Sequence, residues 1–163
     1  MKIRMKNKLK FIKKNRFWMA IGILAGVLCI MIVRDWKTDE DYKPRVCGGD
    51  WCFMVELART PAEQKQGLMY RESMEKRDGM LFMFPESKSY NFRMKNTLIP
   101  LDMLRIDEQF NVVKIITAQP CTADPCPSYS PWVSAKYVLE INAGMAQEHE
   151  ITEWTKMRFV NVQ

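Results

Sequence analysis

The stretch Leu101-Asp102-Met103-Leu104-Arg105-Ile106, Asp107-Glu108-Gln109-Phe110-Asn111, Val112-Val113-Lys114-Ile115-Ile116-Thr117 reads as two strands joined by a polar turn. Short runs rich in β-branched and aliphatic residues around a turn composition are the pattern of a β-hairpin. Similar short periodic runs lie on both sides. Upstream are Phe53 to Ala58, Gly79 to Phe84 and Tyr90 to Thr97, the last with Tyr90, Phe92 and Met94 on one face. Downstream are Tyr137 to Asn142 and Met157 to Val162. One segment breaks the period. In Thr60-Pro61-Ala62-Glu63, Thr60 can cap a helix, Pro61 suits its first turn and Glu63 can complete a capping box. That helix is expected to run to about Met69. Residues 118–132 carry Pro120, Pro125, Pro127 and Pro131 and read as a long loop, a length often tied to function. The fold class that follows is mainly β: a small antiparallel barrel, roll or sandwich with one short α-helix.

The N-terminal part has a different character. Of the chain's 25 basic residues, nine lie in residues 1–34, which contain no acid, so 16 basic and 19 acidic residues remain in 35–163, a net of −3. A domain of that charge has no electrostatic footprint for nucleic acid. Phe17 to Val33 is an uncharged apolar run. As a helix it would extend roughly 25 Å at 1.5 Å per residue, against a hydrocarbon core of about 30 Å. Trp18 and Trp36 stand near its ends, and Lys14, Arg16 and Arg34 can snorkel across the shortfall. The sequence after the run, Val33-Arg34-Asp35-Trp36, fits a signal-peptidase site poorly. The expected organisation is a basic cytoplasmic tail (1–16), a single transmembrane anchor (17–34), a polar tether (35–46) and an extracytoplasmic β domain (47–163). The positive-inside rule sets that orientation in the cell (inner) membrane, with the C-terminal domain periplasmic or extracellular and membrane lipid the partner of the helix.

Four cysteines lie beyond the anchor, in two pairs of equal spacing: Cys47 with Cys52, and Cys121 with Cys126. In an oxidising compartment two local disulfides are the natural reading, each contributing roughly 2 kcal/mol through loop closure. A crossed pairing and a four-thiolate zinc site are the alternatives. His149 is the one histidine, in an acidic stretch that reads as solvated surface. This rules out a multi-histidine metal site within one chain and disfavours a Ser-His-Asp triad. The thirteen methionines fall largely within apolar patterns and read as core filler rather than soft-metal ligands. No metal and no cofactor is expected.

The segment richest in chemistry is Phe92-Arg93-Met94-Lys95-Asn96-Thr97-Leu98-Ile99-Pro100-Leu101-Asp102. Lys95, Asn96, Thr97 and Asp102 would form a polar binding site if they converge at a strand-turn-strand corner, with Arg71, Tyr129 and Glu140 as further candidates. Catalysis there would use Asp102 as general acid or base and Lys95 and Asn96 as positioning groups. The competing reading is structural: Asp102 caps backbone amides, Lys95 pairs with it, and Asn96-Thr97 makes a turn.

Several blocks fall in a familiar order: Glu56-Leu57-Ala58-Arg59-Thr60-Pro61-Ala62-Glu63 with Gly67-Leu68-Met69-Tyr70-Arg71, then Gly79-Met80-Leu81-Phe82-Met83-Phe84-Pro85, then Met94 to Met103, then Ala118-Gln119-Pro120-Cys121-Thr122, Cys126-Pro127-Ser128-Tyr129 and Tyr137-Val138-Leu139-Glu140. Over about residues 53–145 the chain resembles the bacterial and archaeal family known as domain of unknown function 192. The resemblance implies a small, mainly β domain, commonly exported, with the Met94–Asp102 block as its hallmark, and it implies no reaction. Cys47 and Cys52 precede this region, and Ala146 to Glu153 lacks the glycine-rich turn with which the family often closes.

The leading expectation is a membrane-anchored extracytoplasmic binding or accessory module of the cell envelope, with an envelope glycan or a membrane protein as partner. The alternatives are an envelope-polymer hydrolase using Asp102 with Lys95 and Asn96, and a subunit of a membrane complex packed through Gly22-x-x-x-Gly26.

Overall fold

The computed structural model describes residues 42–121, 123–130 and 132–162. The expected tail, the anchor and all but the end of the tether lie outside them. Among the described residues no helix is long and apolar enough to cross a membrane. The folded unit begins at Lys43, earlier than the expected boundary at 47, because the first strand uses the end of the tether.

Nine strands follow in chain order: β1 (Arg45–Gly48), β2 (Trp51–Ala58), β3 (Asp78–Lys88), β4 (Phe92–Arg93), β5 (Leu101–Ile106), β6 (Val112–Ala118), β7 (Ser128–Tyr129), β8 (Ala135–Asn142) and β9 (Arg158–Val160). Seven form one sheet in the order β6-β5-β8-β3-β2-β1-β9, and β4 pairs with β7 separately. The expected β5–β6 hairpin is present, with Leu101 opposite Ala118 and Leu104 opposite Ile115. The sheet curls towards closure. Residues 154–157, leading into β9 at one edge, bond to the backbone of 110–112 at the start of β6 on the other, through Val112 N to Thr155 O (2.9 Å) and Met157 N to Phe110 O (2.8 Å).

Five expectations need correction. The sheet is not wholly antiparallel: β2 and β3 are parallel, with Glu56 opposite Met80. Parallel neighbours need a long crossover, and residues 59–77, carrying the helix, supply it. Among the described residues there are two short helices, α1 (Pro61–Gln66) and α2 (Met145–Glu148). The first has the expected capping box, with Thr60 and Glu63 each bonding the other's backbone, but it stops at Gly67, whose φ of +46° no helix accommodates. The expected strand Tyr90–Thr97 shrinks to Phe92–Arg93, because Asn96 takes a left-handed φ of +59° and turns the chain. His149 is not simply solvated: its ring lies 5.3 Å from that of Trp51 and 5.4 Å from that of Phe53. The C-terminal end of α2 turns the imidazole back onto the sheet.

Both disulfides are local: Cys47–Cys52 joins directly opposed residues of the β1–β2 hairpin, and Cys121–Cys126 closes part of the 118–132 loop. The central strands are covered on both faces. Alternation along β5 sends Leu104 and Ile106 to one core, with Phe53, Leu81, Leu139 and Ile141. It sends Leu101 and Met103 to the other, with Met80, Phe82, Met94 and Val138. All six residues of β5 are buried, so any polar side chain on this strand must find its partners inside the protein.

A candidate ligand cleft over Glu140

The register of the sheet places the polar groups. On one face, a row runs Glu56, Met80, Glu140, Met103, Ile116 across five strands. The adjacent row on that face runs Ala58, Phe82, Val138, Arg105, Lys114. Glu140 and Arg105 are therefore diagonal neighbours in the middle of the sheet, and both are buried, at 5% and 0% exposure.

Above Glu140 lies a cleft of about 460 Å³, with Phe82, Phe84, Tyr90 and Phe92 among its walls and the hydroxyl residue Thr97 in the same lining. Such a volume is ordinary for a small-molecule site. The walls brace one another. Phe84 stacks on Tyr90 at 3.7 Å between centroids, and Phe92 meets Phe82 edge-on at 5.1 Å. Gln64 of α1 donates to Met83 O (2.8 Å), which ties the helix to β3 at the rim. Gly67 forms part of the lining, and a Cβ there would come within 3.2 Å of Phe82 Cζ. At Gly79 a Cβ would meet Glu140 O at 2.6 Å, so glycine is what lets β3 lie against β8 at this point.

No hydrogen bond to the Glu140 carboxyl is found among the described residues, and its oxygens open onto the cleft; the fully enclosed side-chain atoms without a partner belong to Arg45 and Arg105. Burial raises its pKa to about 8, opposed only in part by the charge of Arg105. The Arg105 guanidinium is lowered by burial to about 10, opposed by Glu140, and stays charged at neutral pH. It lies 4.5 Å above the centre of the Phe92 ring and donates from Nη2 to Tyr129 O (3.3 Å). Its Nε and Nη1 have no partner among the described residues. Buried polar nitrogens are rarely left so.

The sequence candidates are distributed over several places. Thr97 joins Glu140 in the cleft. Tyr129 touches the same region through its carbonyl, which accepts from Arg105, while its hydroxyl accepts from Gln119 N (3.3 Å). Asn96 sits at the edge, donating from Nδ2 to Tyr70 Oη (2.8 Å) while its carbonyl accepts from Tyr70 N (2.7 Å). Lys95 is exposed and pairs with Asp124 (2.6 Å), not with Asp102. Arg71 pairs with Glu56. Asp102 lies on the opposite face of the sheet, 1% exposed. It accepts from Thr117 Oγ1 (2.7 Å), Gly144 N (2.8 Å) and Ala146 N (3.0 Å), beneath a more open groove of about 530 Å³. The structure thus gives Asp102 the amide-capping geometry and keeps it apart from Lys95 and Asn96.

Arg105 was not singled out in the sequence. Its signal was there: a lone cation within the apolar run Met103-Leu104-Arg105-Ile106, where a strand buried on both faces leaves it no route to water.

Among curated proteins, none matches the chain. Two solved structures are similar. One is a protein provisionally described as a transcription regulator from Sinorhizobium meliloti 1021, 32% identical, with a TM-score of 0.65, covering 72% of this chain and 92% of that one. The other is a protein of unknown function from Novosphingobium aromaticivorans DSM 12444, 32% identical, with a TM-score of 0.64, covering 71% of this chain and 83% of that one. The family profile DUF192, described as Uncharacterized ACR, COG1430, matches residues 46–159, a wider span than 53–145 that takes in Cys47, Cys52 and the C-terminal edge. The chain belongs to the DUF192 family.

Proposed function

We propose that this protein is a membrane-tethered, extracytoplasmic binding module of the cell envelope whose ligand occupies the cleft over Glu140. One observation carries the reading: a buried carboxyl without a hydrogen-bond partner forms part of a braced, aromatic-walled cleft of ligand size. Natural proteins do not leave such a group in place for stability, since burying it alone is costly. A perturbed acid in a cleft is the mark of a functional site. The tether and compartment rest on the apolar run 17–33, the basic tail before it, and two local disulfides of the kind that persist in oxidising compartments.

A hydrolase built on Asp102 gains no support from this geometry. Three donors already engage its oxygens, and Lys95 and Asn96 lie on the other side of the sheet. Glu140 has the protonation state of a general acid, but among the described residues the cleft lining brings no second carboxylate to act as base or nucleophile. The regulator description of the Sinorhizobium protein would require nucleic-acid contact, which the −3 charge of residues 35–163 disfavours.

The test is thermal unfolding of the full-length chain in detergent micelles against a panel of wall fragments, glycans, nucleotides and small acids, bases and neutral organics. A ligand of the native state raises the melting temperature by linkage. A shift that is lost on filling the cleft with Gly67→Phe supports the reading. A panel without any shift, or one whose hits are indifferent to the cleft, overturns it.

A further inference from the structure

Arg105 gives the cleft a sign. The lining contains two cations, Lys65 and Arg93, and Glu140 is its one acidic residue. Below Phe92 lies a third cation, Arg105, fully buried with two nitrogens unpartnered among the described residues. A buried cation is strongly unfavourable unless something of opposite charge answers it. Glu140 does not: the two groups form no ion pair, and burial keeps the acid largely protonated at neutral pH. The described lining therefore carries more cations than ionised acids, with Asp124 offsetting Arg93 at the rim, together with two hydroxyl donors (neutral Glu140 and Thr97) and aromatic walls.

Resting on the reading of this cleft as a ligand site, we propose that it takes a small organic carboxylate with a flat apolar body. The body fills the space between the aromatic walls, and the carboxylate accepts from Glu140 and Thr97 within the field of Arg105, Arg93 and Lys65. A cationic ligand would add charge to a site that already has an excess. A neutral sugar would leave Arg105 unanswered. Since bound carboxylate and ionised Glu140 repel one another, binding is coupled to proton retention on Glu140. Arg105 of β5 is the charged group that acts on Glu140 directly; Lys65 of α1, Arg93 of β4 and Tyr90 line the same cleft, Arg93 within the field of Asp124, and Glu56 of β2 lies beyond Met80. Glu56 is already paired with Arg71. Arg105, at about 10, keeps its charge while Glu140 titrates.

The experiment compares benzoate, benzamide and benzylamine, which share a ring and differ in charge, as probes of the full-length chain in micelles, with dissociation constants read by calorimetry. Benzoate is expected to bind about tenfold or more tighter than either analogue, a preference of the size one charged contact supplies. Its affinity is expected to fall towards about tenfold per pH unit above pH ~8. In Glu140→Gln, which keeps a neutral donor, benzoate should still bind but without that pH dependence. Arg93→Gln, at the exposed rim, should weaken benzoate and leave benzamide unaffected. Failure of benzoate to bind, equal or tighter binding of benzamide or benzylamine, or a pH profile that survives in Glu140→Gln would overturn the proposal. Cleft-dependent binding of benzamide or benzylamine alone would overturn the carboxylate class and leave the binding module standing. Silence of these probes and of the wider panel would remove both.

Discussion

Two carboxyl groups are buried in the same sheet, on opposite faces, and they have opposite surroundings. Asp102 is met by three donors, two of them the backbone amides of Gly144 and Ala146 at the start of α2. Glu140 is met by two methionine neighbours, Met80 and Met103, and an arginine too distant for an ion pair. The first has the environment of a structural fastener, in which every polar atom has a partner. The second has that of a group held ready for something that arrives. Burial alone does not separate the two. The inventory of partners does.

The largest effect expected from this contrast is a pH dependence. The folded-state pKa of Glu140 is raised to about 8 from an ordinary 4.5. Between those values the folded protein holds a proton that the unfolded chain releases. Stability from this group is therefore fully present below the unfolded value and is lost as pH rises through about 8. Linkage bounds the loss at about 5 kcal/mol. Denaturant melts of wild type and Glu140→Gln from about pH 5 to 9 should converge at the acid end and part at the alkaline end, the wild type being the weaker. Parallel curves would place Glu140 in contact with water or a partner and collapse the contrast with Asp102.

Asp102→Ala comes next. It removes the acceptor of two backbone amides and a hydroxyl, of which the Ala146 amide is buried and the other two are part-buried, an expected cost of about 2–3 kcal/mol in chemical denaturation. A change within about 0.5 kcal/mol would mean that α2 does not depend on this fastener and that Asp102 is free for another role. Gly67→Ala tests the cleft side. A side chain at φ +46°, 3.2 Å from Phe82, should cost about 1 kcal/mol and weaken any cleft ligand, whereas Thr60→Ala, at the other end of the same helix, should cost a similar ~1 kcal/mol with ligand affinity intact. Equal effects of both on binding would show that the helix matters to the cleft only through its presence. The smallest effect is expected at Lys95. Its ion pair with Asp124 is exposed, so Lys95→Ala should change stability by less than about 0.5 kcal/mol and vanish from notice at high salt.

The legible parts of the molecule were those set by neighbours in sequence. The Leu101–Thr117 hairpin and the capping box at Thr60 depend on residues within a few positions of each other, and their chemistry states the outcome; the cysteine spacing favoured local disulfides, and the structure chose them over a crossed pairing. The strand expected over Tyr90–Thr97 failed for a tertiary reason. Asn96 is held in a left-handed turn by its bonds to Tyr70, a partner far back in the chain. The parallel β2–β3 pair was equally hidden, because a short helix between strands does not say on which side the chain returns.

The sequence by itself determined the mainly β class, the family, two cysteine pairs of equal spacing, and a set of polar residues rich enough to hold a site. Only the tertiary structure decided which of them do so. Sheet register put Asp102 on one face and Glu140 with Arg105 on the other. Strand order put β5 and β8 inside the sheet, where the Arg105 guanidinium is fully buried and the Glu140 carboxyl meets only the cleft. A side chain's charge state and its partners depend on what the rest of the chain brings around it, and that is settled by packing over long sequence distances rather than by the residues beside it.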